Sequence, residues 1–115
     1  MTPLLEVVVI GNKGQVKING ILDTGFDGKI CLPIEIAVDL GLELVTHELV
    51  ELADGTKKDE LVFGGRVRFL GNKRPARIFL TTSEDTLIGT GLLKNCRALI
   101  DFDTGNVRIR KRAKS

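Results

Sequence analysis

Clusters of turn-forming residues cut this chain into short aliphatic runs, and that pattern limits the fold more than any other feature. Gly11-Asn12-Lys13-Gly14, Asp54-Gly55, Gly71-Asn72-Lys73-Arg74 and Asp103-Thr104-Gly105-Asn106 all hold residues that accept tight or left-handed backbone. The runs between them are rich in Val, Ile and Leu. Residues 4–10 form one dense run, and 15–22 alternate through Val16 and Ile18 to Ile21-Leu22, so the two predict a hairpin. A short strand is expected over 29–32.

Pro33 suits the first position of a helix, where its missing N–H costs nothing. That helix should end at Gly41, with apolar residues at 34, 37, 38 and 40–42 on a buried face and Glu35 and Asp39 opposite. Further strands are expected over 42–53, 61–70, 76–82, 97–102 and 107–111, with a short helix through 92–95. Gly64-Gly65 inside a strand implies a bulge or a close backbone approach. Many short strands with one or two short helices make an all-β fold, a barrel or a sandwich.

The 115 residues amount to one domain, large enough to bury a core without staples. Hydrophobic residues at 43% and charged residues at 28% match ordinary globular composition. Residues 1–110 are read as the domain and 111–115 as a basic tail. Arg108, Arg110, Lys111, Arg112 and Lys114 cluster there, but the net charge is only +2. The cluster is read as a solvated last strand and tail rather than a phosphate-binding patch. With five Phe and no Trp or Tyr, a base-stacking platform is not expected, so nucleic acid is not expected as a partner. Cys31 and Cys96 form no CxxC motif or zinc set; they could form one disulfide, and two buried thiols are the expected form. No metal or cofactor is expected. The N-terminal stretch, interrupted by Glu6, reads as neither signal peptide nor membrane span, and a cytoplasmic, reducing location is the default.

Asp-Thr-Gly occurs twice, at 23–25 and 103–105. The second copy lies between two neighbouring strands, where Asp and Gly serve a tight turn. The first follows the apolar pair Ile21-Leu22 and leads into Asp27-Gly28 and a new strand. The chain as a whole resembles the retropepsin-like aspartic proteases. The elements that carry the resemblance follow in order: Ile21-Leu22-Asp23-Thr24-Gly25, then Leu32-Pro33 opening a helix that ends at Leu40-Gly41-Leu42. After these come the flap-like Val50-Glu51-Leu52-Ala53-Asp54-Gly55, then Leu87-Ile88-Gly89 with Leu92-Leu93. Leu99-Ile100-Asp101-Phe102 and Val107-Arg108-Ile109 resemble the closing strands. The wider Asp-Thr-Gly-Phe-x-Gly pattern is similar to a bacterial and archaeal subgroup.

The resemblance implies an acid-protease β-barrel with one lobe per chain. It implies a homodimer in which Asp23 of each copy forms a catalytic pair acting on a peptide or protein substrate. Thr24 would hold the two active loops together, and Gly25 would let the substrate backbone approach. Asp27 would meet substrate backbone or flanking groups, and Ala53, Asp54 and Gly55 would sit on a closing flap. The chain departs from retroviral members at Phe26, where they carry a small residue, and at Thr90, where they carry an arginine paired with the acid equivalent to Asp27. Its flap also lacks an aromatic residue. Phe26 and the missing arginine motivate a second reading, a peptide- or partner-binding module of the same fold that cuts slowly or not at all. A weaker reading is a basic barrel that binds nucleic acid through its tail. His47 is expected on the surface of a strand.

Overall fold

The computed structural model describes residues 2–51 and 54–112. Nine strands form in the order β1 (Leu4–Ile10), β2 (Gln15–Leu22), β3 (Ile30–Pro33), β4 (Glu43–Glu51), β5 (Lys57–Phe69), β6 (Asn72–Thr81), β7 (Leu87–Ile88), β8 (Cys96–Ile100) and β9 (Val107–Lys111). One helix, α1 (Ile34–Leu40), lies between β3 and β4, and a 3-10 helix, Thr90–Leu93, follows β7.

Seven strands make one sheet in the order β1-β2-β7-β3-β6-β5-β4, and β1 also pairs with β5. Six of them therefore close into a ring, a barrel, and β4 lies outside it on β5. β8 and β9 form a separate two-stranded sheet. The core is the inside of the ring, where Val7, Val9, Ile30, Val67, Ile78, Ile88 and Leu92 are almost fully buried. Burying side chains of this kind contributes roughly 1.5–3 kcal/mol each. No helix among the described residues is long and apolar enough to cross a membrane.

The long strand β5 changes partner along its length. Lys57 to Gly64 pair with β4, and Arg66 to Arg68 pair with β1. The change falls at Gly64-Gly65. A Cβ on Gly65 would stand 3.1 Å from the carbonyl oxygen of Ile10 and 2.9 Å from the Leu42 side chain. A Cβ on Gly64 would stand 2.8 Å from Val45, the residue at the register shift between Leu44 and Thr46. The glycine pair thus meets a close approach, and the bulge lies on the strand opposite.

Four local expectations are corrected. Pro33 closes β3 and caps α1 with extended ψ, so the helix begins at Ile34. The buried stripe of the helix is Pro33, Ile36, Ala37 and Leu40, at the spacing of one helical face. Ile34 and Val38 fall off that stripe and are exposed. The turn expected over 71–74 is the two-residue loop Leu70-Gly71, both at positive φ, and Asn72 already pairs with Phe69. Two-residue hairpin loops with positive φ match the twist of the flanking strands. The 3-10 helix begins at Thr90, just after Gly89, and not over 92–95. As expected, Gly41 ends α1 in the left-handed conformation, its N–H donating to Val38.

Candidate active site

β7 is only two residues long, yet it lies between β2 and β3. It is parallel to β2, with Ile21 opposite Leu87 and Leu22 opposite Ile88. It is antiparallel to β3, with Ile30 opposite Ile88 and Cys31 opposite Leu87. Residues 23–29 join β2 to β3 across the end of β7. Four backbone hydrogen bonds stitch this loop to β7 and the segment after it: Asp23 N–H to Ile88, Gly89 N–H to Lys29, Thr90 N–H to Phe26, and Gly91 N–H to Gly28, all between 2.8 and 3.0 Å. The Thr90 hydroxyl also donates to the Phe26 carbonyl at 3.3 Å.

The glycines make this approach possible. A Cβ on Gly89 would collide with the Gly28 carbonyl oxygen, and one on Gly91 would stand 2.7 Å from that of Asp27. The Phe26 ring fills the place where a Gly28 side chain would go and meets Phe79 edge-on, with centroids 6.1 Å apart.

Asp23 sits half-buried at the head of the loop. Its carboxylate accepts the Gly25 N–H at 2.9 Å. Among the described residues this leaves most of its acceptor capacity open to a second group or a water. Strand alternation decides which side it faces. Leu22, Ile88, Ile30 and Ile78 point into the core. Ile21, Leu87, Cys31 and Phe79 point to the other side and form a half-buried apolar surface outside the barrel. Alternation carried one residue past Leu22 puts Asp23 on this outer side. Phe79 lies opposite Val62, so Thr46, Glu48, Val50, Lys58 and Glu60 of the β4–β5 hairpin share it. Burial, and next the charge of Glu60, pushes the Cys31 thiol upward, in keeping with this adjacency.

The structure brings Asp23, Thr24, Gly25 and Asp27 into one loop, with Thr24, Gly25 and Asp27 exposed. Asp54 and Gly55 stand apart, exposed at the end of the β4–β5 hairpin. Among the described residues no hydrogen bond joins them to the Asp23 loop. Ala53 lies outside the described residues. His47 is on the surface as expected, its Nδ1 2.8 Å from Asp59. Cys31 and Cys96 are free and half-buried. The second Asp-Thr-Gly is a turn: Asp101 accepts the N–H groups of Asp103 and Thr104, and Gly105 has φ of 78°. Sequence reasoning missed Thr90 and Gly91 as the fasteners of the Asp23 loop; the Gly-x-Gly spacing at 89–91 was the available signal.

The ring of strands, with β7 inserted between β2 and β3 and an Asp-Thr-Gly loop over its end, is the retropepsin-like fold of aspartic proteases. In particular, the chain is similar to the solution structure of Simian Foamy Virus (mac) protease, with TM-score 0.56 and 19% identity, covering 78% of this chain and 90% of that one. It is also similar to EIAV protease complexed with the inhibitor HBY-793, with TM-score 0.59 and 17% identity, covering 82% of this chain and 86% of that one. At these identities the likeness is one of fold. No protein-family model matches the chain, and no curated protein matches it.

Proposed function

We propose that the chain is one half of a homodimeric aspartic endopeptidase of the Asp-Thr-Gly-Phe-x-Gly type, in which Asp23 of each copy forms the catalytic pair. The observation that carries this reading is the setting of Asp23. Its loop is held by four backbone hydrogen bonds, and among the described residues its carboxylate accepts one, from the Gly25 N–H.

Peptide hydrolysis without a metal or a covalent intermediate needs one group to take a proton from water and another to protonate the substrate carbonyl oxygen. Two carboxylates sharing one proton perform both tasks. Like charges this close cannot both ionise, so one pKa falls and the other rises, and the values belong to the pair. A single lobe supplies one such acid, and a two-fold axis supplies the other. Thr24 would grip the partner's loop, Gly25 would admit the substrate backbone, and Asp27 would meet its flanks. The peptide would lie extended on the Ile21, Leu87, Cys31 and Phe79 surface. The tip of the β4–β5 hairpin, with Ala53, Asp54 and Gly55, would act as the flap that closes over it. Two free cysteines support a reducing, cytoplasmic setting for this activity.

A second reading, a peptide- or protein-binding module that does not cut, has one observation in its favour. Asp27 is exposed and forms no ion pair among the described residues. The test is cleavage of a mixed peptide library at several pH values by the wild type and Asp23→Asn, with the oligomeric state measured by sedimentation. The expected result is turnover that a statine-type mimic blocks and that Asp23→Asn lowers by about 10²–10⁴ or more. A dimeric wild type that cuts nothing at any pH supports the binding module instead.

A further inference from the structure

The sheet of β8 and β9 stands apart from the hydrogen bonding of the barrel. One of its faces is occupied, since Ile100, Val107 and Ile109 pack against the core. On the opposite face Arg97 lies directly across from Arg110, and Leu99 across from Arg108. Like charges directly opposite on a sheet destabilise it. None of these arginines has an acidic partner among the described residues. Arg112, whose N–H donates to the Asn95 carbonyl at 2.8 Å, continues the row beyond β9. Two concavities open here. One of about 470 Å³ is bounded by Arg97, Leu99, Arg108 and Arg110, and one of about 320 Å³ by Arg97, Arg110, Lys111 and Arg112. Leu99 is 67% exposed among the arginines, and Phe102, just past β8, is 74% exposed.

We propose that this face of the β8–β9 hairpin binds single-stranded nucleic acid, with the arginines on phosphates, Leu99 against a base, and Phe102, exposed in the turn at the hairpin's end, open to a base where the strand runs off the face. Strand rise places Arg108, Arg110 and Arg112 about 7 Å apart along one side, a cationic row that can track a backbone. The guanidinium plane grips phosphate with two N–H groups and also stacks on bases, which a lysine cannot do. A cationic groove with exposed apolar side chains for the base faces is the general design of sites that hold unpaired strands. The strand register supplies what composition does not show, because it sets Arg97 against Arg110 and Leu99 against Arg108 on one face.

Other occupants fit less well. In a two-fold contact a second copy would set this face against itself, arginine against arginine. An anionic bilayer would receive Asp101 and Asp103 along with the Phe102 ring they flank. A peptide of acidic residues alone would answer the charges but bring nothing apolar to Leu99, which is exposed among the arginines.

The test is fluorescence anisotropy with a labelled oligothymidylate of about 16 nucleotides. Three or four phosphate contacts predict that log affinity falls with log salt with a slope of about −2 to −3. Arg108→Glu with Arg110→Glu should weaken binding tenfold or more. Lys17→Glu with Lys73→Glu makes the same change in net charge on other strands and should leave binding within twofold. Phe102→Ala should cost about fivefold or more. Arg110→Gln removes the opposed pair, so it should weaken binding while raising the thermal midpoint, a combination that loss of folding cannot produce. No binding at about 50 mM salt overturns the proposal. Equal loss in both double variants overturns it too, as does tighter binding to phosphatidylserine vesicles or polyglutamate than to the oligonucleotide.

Discussion

The N–H and the hydroxyl of Thr90 converge on one acceptor, the carbonyl oxygen of Phe26, at 2.8 and 3.3 Å. A single threonine at the start of the 3-10 helix thus fastens the middle of the loop that begins with Asp23. The Thr90 side chain reaches back to the backbone of the loop rather than outward. Thr90→Val keeps the N–H and the shape and removes the hydroxyl. The bond is exposed and slightly long, so the expected loss is about 0.5 kcal/mol, at the low end for a hydrogen bond. Urea unfolding measures it. A loss above about 1.5 kcal/mol would mean that the hydroxyl holds more than this one bond.

Gly89 and Gly71 separate two reasons for glycine. A side chain on Gly89 would strike the backbone oxygens of Gly28 and Phe26, which cannot move without dismantling the Asp23 loop. Gly89→Ala should cost about 3 kcal/mol. Gly71 has φ of 78° with open space around it. Gly71→Ala should cost only the left-handed backbone penalty, about 1–2 kcal/mol. Thermal unfolding of both variants gives the order, and a Gly71 variant less stable than the Gly89 variant would contradict it.

Cys31 should react slowly with alkylating reagents. Burial first, and the Glu60 charge second, raise its thiol above the ordinary value. A raised folded value means that the thiol's contribution to stability is fully present below the unfolded pKa and is lost as pH rises through the folded one. Thiol-reactivity profiles against pH should therefore place Cys31 on the alkaline side of an unfolded-chain control. Glu60→Gln should move the profile only slightly, because burial is the larger cause.

Asp54 behaves in the opposite sense. Its carboxylate accepts the Thr56 hydroxyl at 2.6 Å and the Thr56 N–H at 2.9 Å, and these bonds hold its pKa below the ordinary carboxylate value. A lowered folded value contributes stability above the unfolded pKa that is lost as pH falls through the folded one. Carboxyl NMR titration should show Asp54 titrating low in the wild type. In Thr56→Val, which loses the larger cause, the value should move back up.

Much of the architecture could be read from local chemistry. β1, β2, the Asp54-Gly55 turn and the cap at Gly41 lie where alternation and turn residues put them. The errors share a cause. Leu70 adopts φ of 52°, which its type disfavours, so the polar residues after it looked like the turn. Ile34 and Val38 are apolar yet exposed, because the helix buries the row that starts at Pro33.

The loop that carries the candidate Asp23 could be picked out in the sequence, but its construction could not. The bonds that hold this loop come from residues 88–91, some sixty positions away. No periodicity reports a parallel pairing such as Ile21 with Leu87. The two copies of Asp-Thr-Gly make the same point. At 103–105 an aspartate two residues upstream organises the turn, and at 23–25 the first aspartate does so itself.

The partner change along β5 also bears on how the molecule assembles. The ring closes through three residue pairs, Val8, Val9 and Ile10 with Arg68, Val67 and Arg66. These lie far apart in sequence, while the hairpins on either side are local. Closing a long loop is entropically costly and slow compared with forming a hairpin. The seam, like the β2–β7 pairing of Ile21 with Leu87, is therefore one of the joints that local hairpins cannot supply. Gly65 beside it adds no side chain, so the dry contact across that joint falls to the fully buried Val9 and Val67.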